Sequence, residues 1–111
     1  MAEMTSAMTE MTLVAENVRH RGTGGVSVEN RDRGFRPAFL DHASRTVYLS
    51  RLADGRPAPF HSLDGLPSEL VLLRKACGRV AQVKASVVSG FVRDGRFYSR
   101  DEAAAQLRAA A

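Results

Sequence analysis

The sequence predicts an α+β fold, an antiparallel sheet of about four or five strands with two helices, the last of them C-terminal. Three observations carry this. Asp94-Gly95 lies between two segments of strand character, Ser89–Arg93 and Arg96–Tyr98, and is the residue pair that a two-residue type I′ hairpin turn favours. Ser99 stands three residues before Glu102 at the head of an alanine-rich run, which is the reciprocal capping arrangement that starts a helix. Asp41-His42-Ala43-Ser44 has turn chemistry and joins two further segments of strand character.

The first eleven residues carry Met1, Met4, Met8 and Met11, and the same spacing continues to Ala15 and Val18, one face of a helix. A short amphipathic helix could lie in a partner's groove or pair with a second copy. The interspersed threonines weaken that helix and favour a flexible leader. Residues 19–25, Arg19-His20-Arg21-Gly22-Thr23-Gly24-Gly25, lack the Lys-Ser/Thr ending of a phosphate-cradling loop and read as a linker. Residues 1–25 are therefore expected to be a flexible or helical leader with its linker, and residues 26–111 a single α+β domain, as a chain of 111 residues has room for one core.

Val26-Ser27-Val28-Glu29 shows β-branched alternation. Phe35 to Leu40 reads as an edge-like strand, because Pro37 has no N–H to give to a ladder. Thr46 to Leu52 is its hairpin partner, and Asp54-Gly55-Arg56-Pro57-Ala58-Pro59 breaks the pattern. Pro67 suits the first turn of a helix and Gly78 a left-handed stop, so a helix of about ten residues is expected between them. Arg79 to Val88 is expected to be a strand running into the final hairpin, and a helix from about Arg100 to Arg108 closes the chain.

Net charge is +4, and residues 69–98 carry all of that excess: Arg74, Lys75, Arg79, Lys84, Arg93 and Arg96 against Glu69 and Asp94. Such a balance inclines the protein towards polyanions or acidic protein surfaces. Of the basic residues only Lys75 and Lys84 are lysine, a bias that a GC-rich genome produces by itself. Cys77 is alone, which rules out an intrachain disulfide, and its place near the end of the expected helix makes it a small core residue. No run of about 18 apolar residues exists to cross a membrane, and the N-terminus lacks the regions of a secretory signal. A cytoplasmic location is expected.

On the final hairpin Arg93 falls opposite Arg96, Val92 opposite Phe97 and Phe91 opposite Tyr98. One face then carries Phe91, Arg93, Arg96 and Tyr98, and the other carries Val92 and Phe97, read as core. Like charges directly opposite destabilise a hairpin by up to about 1 kcal/mol, so a counter-ion is expected. It is either internal, from Asp94, Asp101 or Glu102, or external, from a nucleic-acid phosphate with bases stacked on the rings or from an acidic patch on a protein. Arg79 and Lys84 are expected to support that surface. His20, His42 and His61 match no compact ligand spacing and read as surface or half-buried residues. No serine elbow or carboxylate pair marks acid–base or nucleophilic catalysis. The expectation is a non-enzymatic protein without metal or cofactor.

The segments Gly34–Asp41, Asp54–Pro59 and Gly90–Ala104 resemble small uncharacterised proteins encoded on phages and integrative elements of GC-rich bacteria. The resemblance implies an accessory role on a mobile element and supplies no site residues. In size and orphan character the chain is similar to anti-CRISPR proteins, which mostly bind and block a host complex. Its basic charge departs from the acidic, DNA-mimicking members, so occlusion of a protein surface is the mode implied. The function expected is thus inhibition by binding a host nucleoprotein complex, with direct binding of RNA or single-stranded DNA as the alternative, a homodimer as a further partner state and a small enzyme third.

Overall fold

Among the described residues, backbone pairing sorts seven strands into two antiparallel sheets, more strands than expected, and three helices accompany them, one more than expected. The computed structural model describes residues 8–110. The elements are β1 (Met8–Thr9), α1 (Glu10–His20), α2 (Ser27–Asn30), β2 (Arg36–Asp41), β3 (Thr46–Leu49), β4 (Val71–Arg74), β5 (Val80–Val83), β6 (Val87–Arg93), β7 (Arg96–Ser99) and α3 (Arg100–Ala110). Short 3-10 turns at Arg31–Arg33 and Ser68–Leu70 precede β2 and β4. The larger sheet has the order β3-β2-β6-β7 and the smaller β1-β5-β4.

One apolar cluster lies between the sheets, built from Met8, Phe39, Val80, Val83 and Val87 together with Leu13 of α1 and Leu63, Leu66 and Leu70 of the connecting loop. A second, formed by Phe35, Phe91, Tyr98, Ala103 and Leu107, seats α3 on the β6–β7 hairpin. Residues 8–20, expected as leader, thus enter the core through Met8, paired with Val83, and Leu13. The Thr9 hydroxyl caps α1 on the Thr12 N–H while the Thr12 hydroxyl takes the Thr9 N–H. Met1 and Met4 of the methionine stripe lie outside the described residues, and Met8 is in a strand, which breaks the helical register.

The turn and register predicted for the hairpin hold: Asp94 and Gly95 have φ of 54° and 80°, and the pairs are Arg93↔Arg96, Val92↔Phe97 and Phe91↔Tyr98. The Ser99–Glu102 cap holds as well, with the Glu102 N–H donating to Ser99 Oγ (3.1 Å) and the Ser99 N–H to Glu102 Oε1 (2.9 Å). Asp41 accepts from the Ala43 N–H and the Ser44 hydroxyl, which closes the β2–β3 hairpin.

Six expectations are corrected. The helix between Pro67 and Gly78 is a 3-10 turn followed by β4. Ten residues make a marginal helix on their own, whereas as a strand the segment pairs with β5, and Gly78, at φ 95°, closes a hairpin turn instead of a helix. Cys77 is therefore exposed in that turn. Arg79 to Val88 is not one strand: the Val87 N–H turns back onto the Lys84 carbonyl, and β5 and β6 belong to different sheets. Val26–Glu29 is not extended, because Glu29 and Asn30 donate their N–H groups to the Val26 carbonyl and start α2.

Nor is β2 an edge: it pairs with β3 on one side and β6 on the other. Pro37 is tolerated because its carbonyl accepts from the Ser50 N–H, so its missing donor faces the point where the β3 ladder has ended. Finally, the core face of the β6–β7 hairpin is the opposite one. Phe91 (0% exposed) and Tyr98 (9%) are core, while Val92 and Phe97 are only half-buried on the outer face. The aromatic pair wins because Phe35 and α3 pack against it, whereas Phe97 lies across Gly90, whose missing Cβ leaves room for the ring.

Candidate functional site: an arginine corner on buried aromatic rings

The type I′ turn holds Arg93 and Arg96 side by side on the face whose interior is Phe91 and Tyr98. Neither guanidinium meets a carboxylate among the described residues. Arg93 lies 4.2 Å from the centre of the Phe35 ring and 5.5 Å from that of Tyr98, and Arg96 lies 4.8 Å from that of Tyr98. The electron-rich ring faces spread the two charges apart and offset their repulsion, at about 0.5–1 kcal/mol for each exposed cation–ring contact. Arg93 Nη2 also donates to Gln106 Oε1 of α3 at 3.1 Å.

None of the expected internal counter-ions, Asp94, Asp101 or Glu102, forms an ion pair with Arg93 or Arg96, and Asp94 is exposed in the turn. Glu102 serves the helix cap, and Asp101 is 93% exposed with His20 Nδ1 3.7 Å away. Gly34, at φ 86°, lies against the Arg93 stem, whereas Arg36, paired with Val92, falls on the opposite face of the sheet. The result is a pair of adjacent arginines that can receive phosphate or carboxylate oxygens in forked geometry. Bases have no open ring to stack on, since Phe91 is enclosed and Tyr98 is covered by the guanidinium groups.

The other two residues expected here lie apart. Arg79 precedes β5 in the smaller sheet, where Glu10 (2.7 Å) and Asp64 (3.3 Å) neutralise it, and Glu10 also holds Lys75 (2.8 Å). The hydrogen bond from Lys75 is the main reason the Glu10 carboxyl sits below its ordinary pKa, helped by the charges of Arg79 and Lys75. Lys84 is exposed before the start of β6, and the strand of seven residues places it some 20 Å or more from Arg93 at about 3.3 Å per residue.

A second polar cluster escaped sequence reasoning. Arg100, at the start of α3, is 4% exposed. Its Nε donates to Ser89 Oγ (3.0 Å), its Nη1 to the Gly25 carbonyl (2.9 Å) and its Nη2 to His61 Nδ1 (3.2 Å), with Glu16 Oε1 3.4 Å away. The Ser89 hydroxyl donates to Glu16 at 2.5 Å. His61 Nε2 donates to the Gly90 carbonyl at 2.7 Å, so Nδ1 is the acceptor and both ring nitrogens are committed. Burial, reinforced by the Arg100 charge, pushes the imidazole down to about 3. It is a neutral strut, edge-on to Phe39 and Phe91, and has no free nitrogen to act as a base.

This network ties α1, the glycine-rich loop, β6 and α3 together. In the sequence Arg100 looks like a solvated residue beside Asp101 and Glu102; its one signal was the position immediately after a helix cap, where a long side chain can turn back along the preceding strand. The linker has a structural duty as well: the Gly22 and Gly24 N–H groups donate to the Glu29 carboxylate at 2.7 and 2.9 Å. Among the described residues no group of three His, Cys, Asp or Glu side chains is placed to hold a metal ion, and no helix is long and apolar enough to cross a membrane. Compared with known proteins, the chain matches no family model, no curated protein and no solved structure.

Proposed function

We propose that the protein acts by binding, without chemistry of its own, and that Arg93 and Arg96 dock on an anionic face of a host nucleoprotein complex as a mobile-element inhibitor does. One observation carries this reading: two adjacent guanidinium groups are held on ring faces, with no carboxylate among the described residues to neutralise them. A protein keeps such a pair at a cost in repulsion, and an external anion removes that cost. Phe35 and Tyr98 serve as the platform beneath the arginines, with Phe91 packed edge-on to Phe35.

The second reading is direct binding of RNA or single-stranded DNA through the same arginines. The exposure of the guanidinium forks favours it, and it is a phosphate-directed, sequence-tolerant contact.

The test is a nuclease-treated pull-down from host lysate with the wild-type protein and an Arg93→Met/Arg96→Met variant, in which methionine keeps the apolar stem over Phe35 and Tyr98. Inhibition by binding gives a stoichiometric complex that the variant loses. A complex retained by the variant, or none with the wild type, overturns it. Direct nucleic-acid binding instead gives oligonucleotide affinity that falls steeply with salt, each phosphate contact adding about 0.7 to the log–log slope for a single strand.

A further inference from the structure

Five large apolar side chains left uncovered by the fold gather on the side of the molecule away from the core contact of α1. Met11 (76% exposed), Val14 (56%) and Val18 (56%) form a stripe at helical spacing along α1, Val28 (75%) stands on α2, and Phe60 (53%) projects from the loop after β3. Leu13 is the residue that turns α1's other face inward. Asn17 and Arg21, neighbours of Val14 and Val18 on the helix surface, line a cleft of about 450 Å³ together with Val28, Glu29, Arg31 and Phe60. Each of these five side chains is more than half exposed, and uncovered apolar surface beside a cleft is what marks a binding site.

The rim of the cleft decides its occupant. Arg21 and Arg31 line it, whereas the nearby acids are already engaged: Glu29 by the Gly22 and Gly24 N–H groups, Glu16 by Ser89 and Arg100. Arg31 Nη2 donates to the Pro59 carbonyl at 3.2 Å, which fixes its charge beside Phe60. A second copy would bring arginine rim against arginine rim. An apolar ridge at i, i+3 and i+7 is the surface on which another helix packs.

We propose that the Met11–Val14–Val18 stripe and the Phe60–Val28 cleft seat an amphipathic helix of a partner protein whose apolar face is flanked by acidic residues. This surface does not include the Arg93–Arg96 corner, so the two can fail separately.

The test titrates the full chain with a labelled helical peptide of about 20 residues that carries leucine at i, i+3, i+4 and i+7 and glutamate on both flanks, and with a twin in which lysine replaces glutamate. The acidic peptide is expected to bind saturably with Kd of about 100 μM or tighter, and its twin at least about tenfold more weakly. Val18→Glu and Phe60→Glu, both at exposed positions, should each weaken the acidic peptide by about tenfold or more while circular dichroism stays unchanged, and Arg93→Met/Arg96→Met should leave it unaffected. Equal binding of the two peptides overturns the proposal, as does absence of saturable binding. Sedimentation showing a dimer that Val18→Glu dissociates would assign the face to a second copy instead. Binding of anionic phospholipid vesicles, with neither peptide bound, would assign it to a lipid surface.

Discussion

Acid should destabilise this protein through His61 well before its carboxylates titrate. In the unfolded chain the imidazole has an ordinary pKa of 6.5; in the native state burial and the neighbouring Arg100 charge lower it to about 3. The unfolded state therefore takes up a proton below 6.5 that the native state refuses. The His61 contribution to stability is complete above that value and is lost as pH falls, at about 1.4 kcal/mol per pH unit, until the native imidazole protonates. Between pH ~7.5 and ~5 the loss amounts to about 2 kcal/mol. Because the folded value lies about two units below this window, the unfolded value alone sets that magnitude. Glu10 and Asp41 are also lowered on folding, but from 4.5 and 3.8, so their contributions fade only at lower pH.

Urea denaturation at a series of pH values measures the loss directly. His61→Gln is the matched control, since an amide can still donate to the Gly90 carbonyl and accept from Arg100 without titrating. Its stability should fall by about 2 kcal/mol less than that of the wild type over the same window. A His61 ring proton resonance titrating near its ordinary value, or a glutamine variant with an unchanged pH slope, would refute the reasoning.

Arg100→Met should cost about 3–5 kcal/mol, because it strands Glu16, Ser89 and the Gly25 carbonyl without their shared donor; thermal unfolding should shift down by more than about 10 °C, and a shift of a degree or two would sink the assignment. Gly90→Ala puts a methyl group into the Phe97 ring and the Tyr98 carbonyl and should lower stability by about 1–3 kcal/mol, read as a lower urea midpoint at unchanged slope. Cys77 should react with a thiol reagent in the native protein at the rate of a free cysteine, and a need for denaturant would contradict its exposure. Arg93→Met/Arg96→Met should change stability by less than about 1 kcal/mol, since lost ring contacts and relieved repulsion oppose one another; a larger loss would mean the pair is a structural device.

What was legible in the sequence is what a few neighbouring residues decide. Gly95 with Asp94 required a type I′ turn and so fixed the Arg93↔Arg96 register; Ser99 with Glu102 fixed the start of α3; Asp41 with Ser44 closed the β2–β3 turn. Each of these rests on a hydrogen bond or a φ requirement spanning two or three residues. The candidate site was legible to the same extent: Arg93 and Arg96 as an opposed pair needing an offset, but not what supplies it.

Which face of that hairpin is the interior was decided by Phe35, which arrives from a distant part of the chain, and by the side onto which α3 folds back, and alternation alone is symmetric between the two faces. The partners of Arg100 come from four separate places in the chain, Glu16, Gly25, His61 and Ser89, and no local pattern records such a meeting. The segment from Val71 to Arg74 became a strand because β5 was there to pair with it. The sequence by itself determined the turns and caps, where the energy is local. Only the tertiary structure decided the burial, the long-range pairing and the company each charge keeps, because those energies depend on surfaces that exist only once the chain has folded.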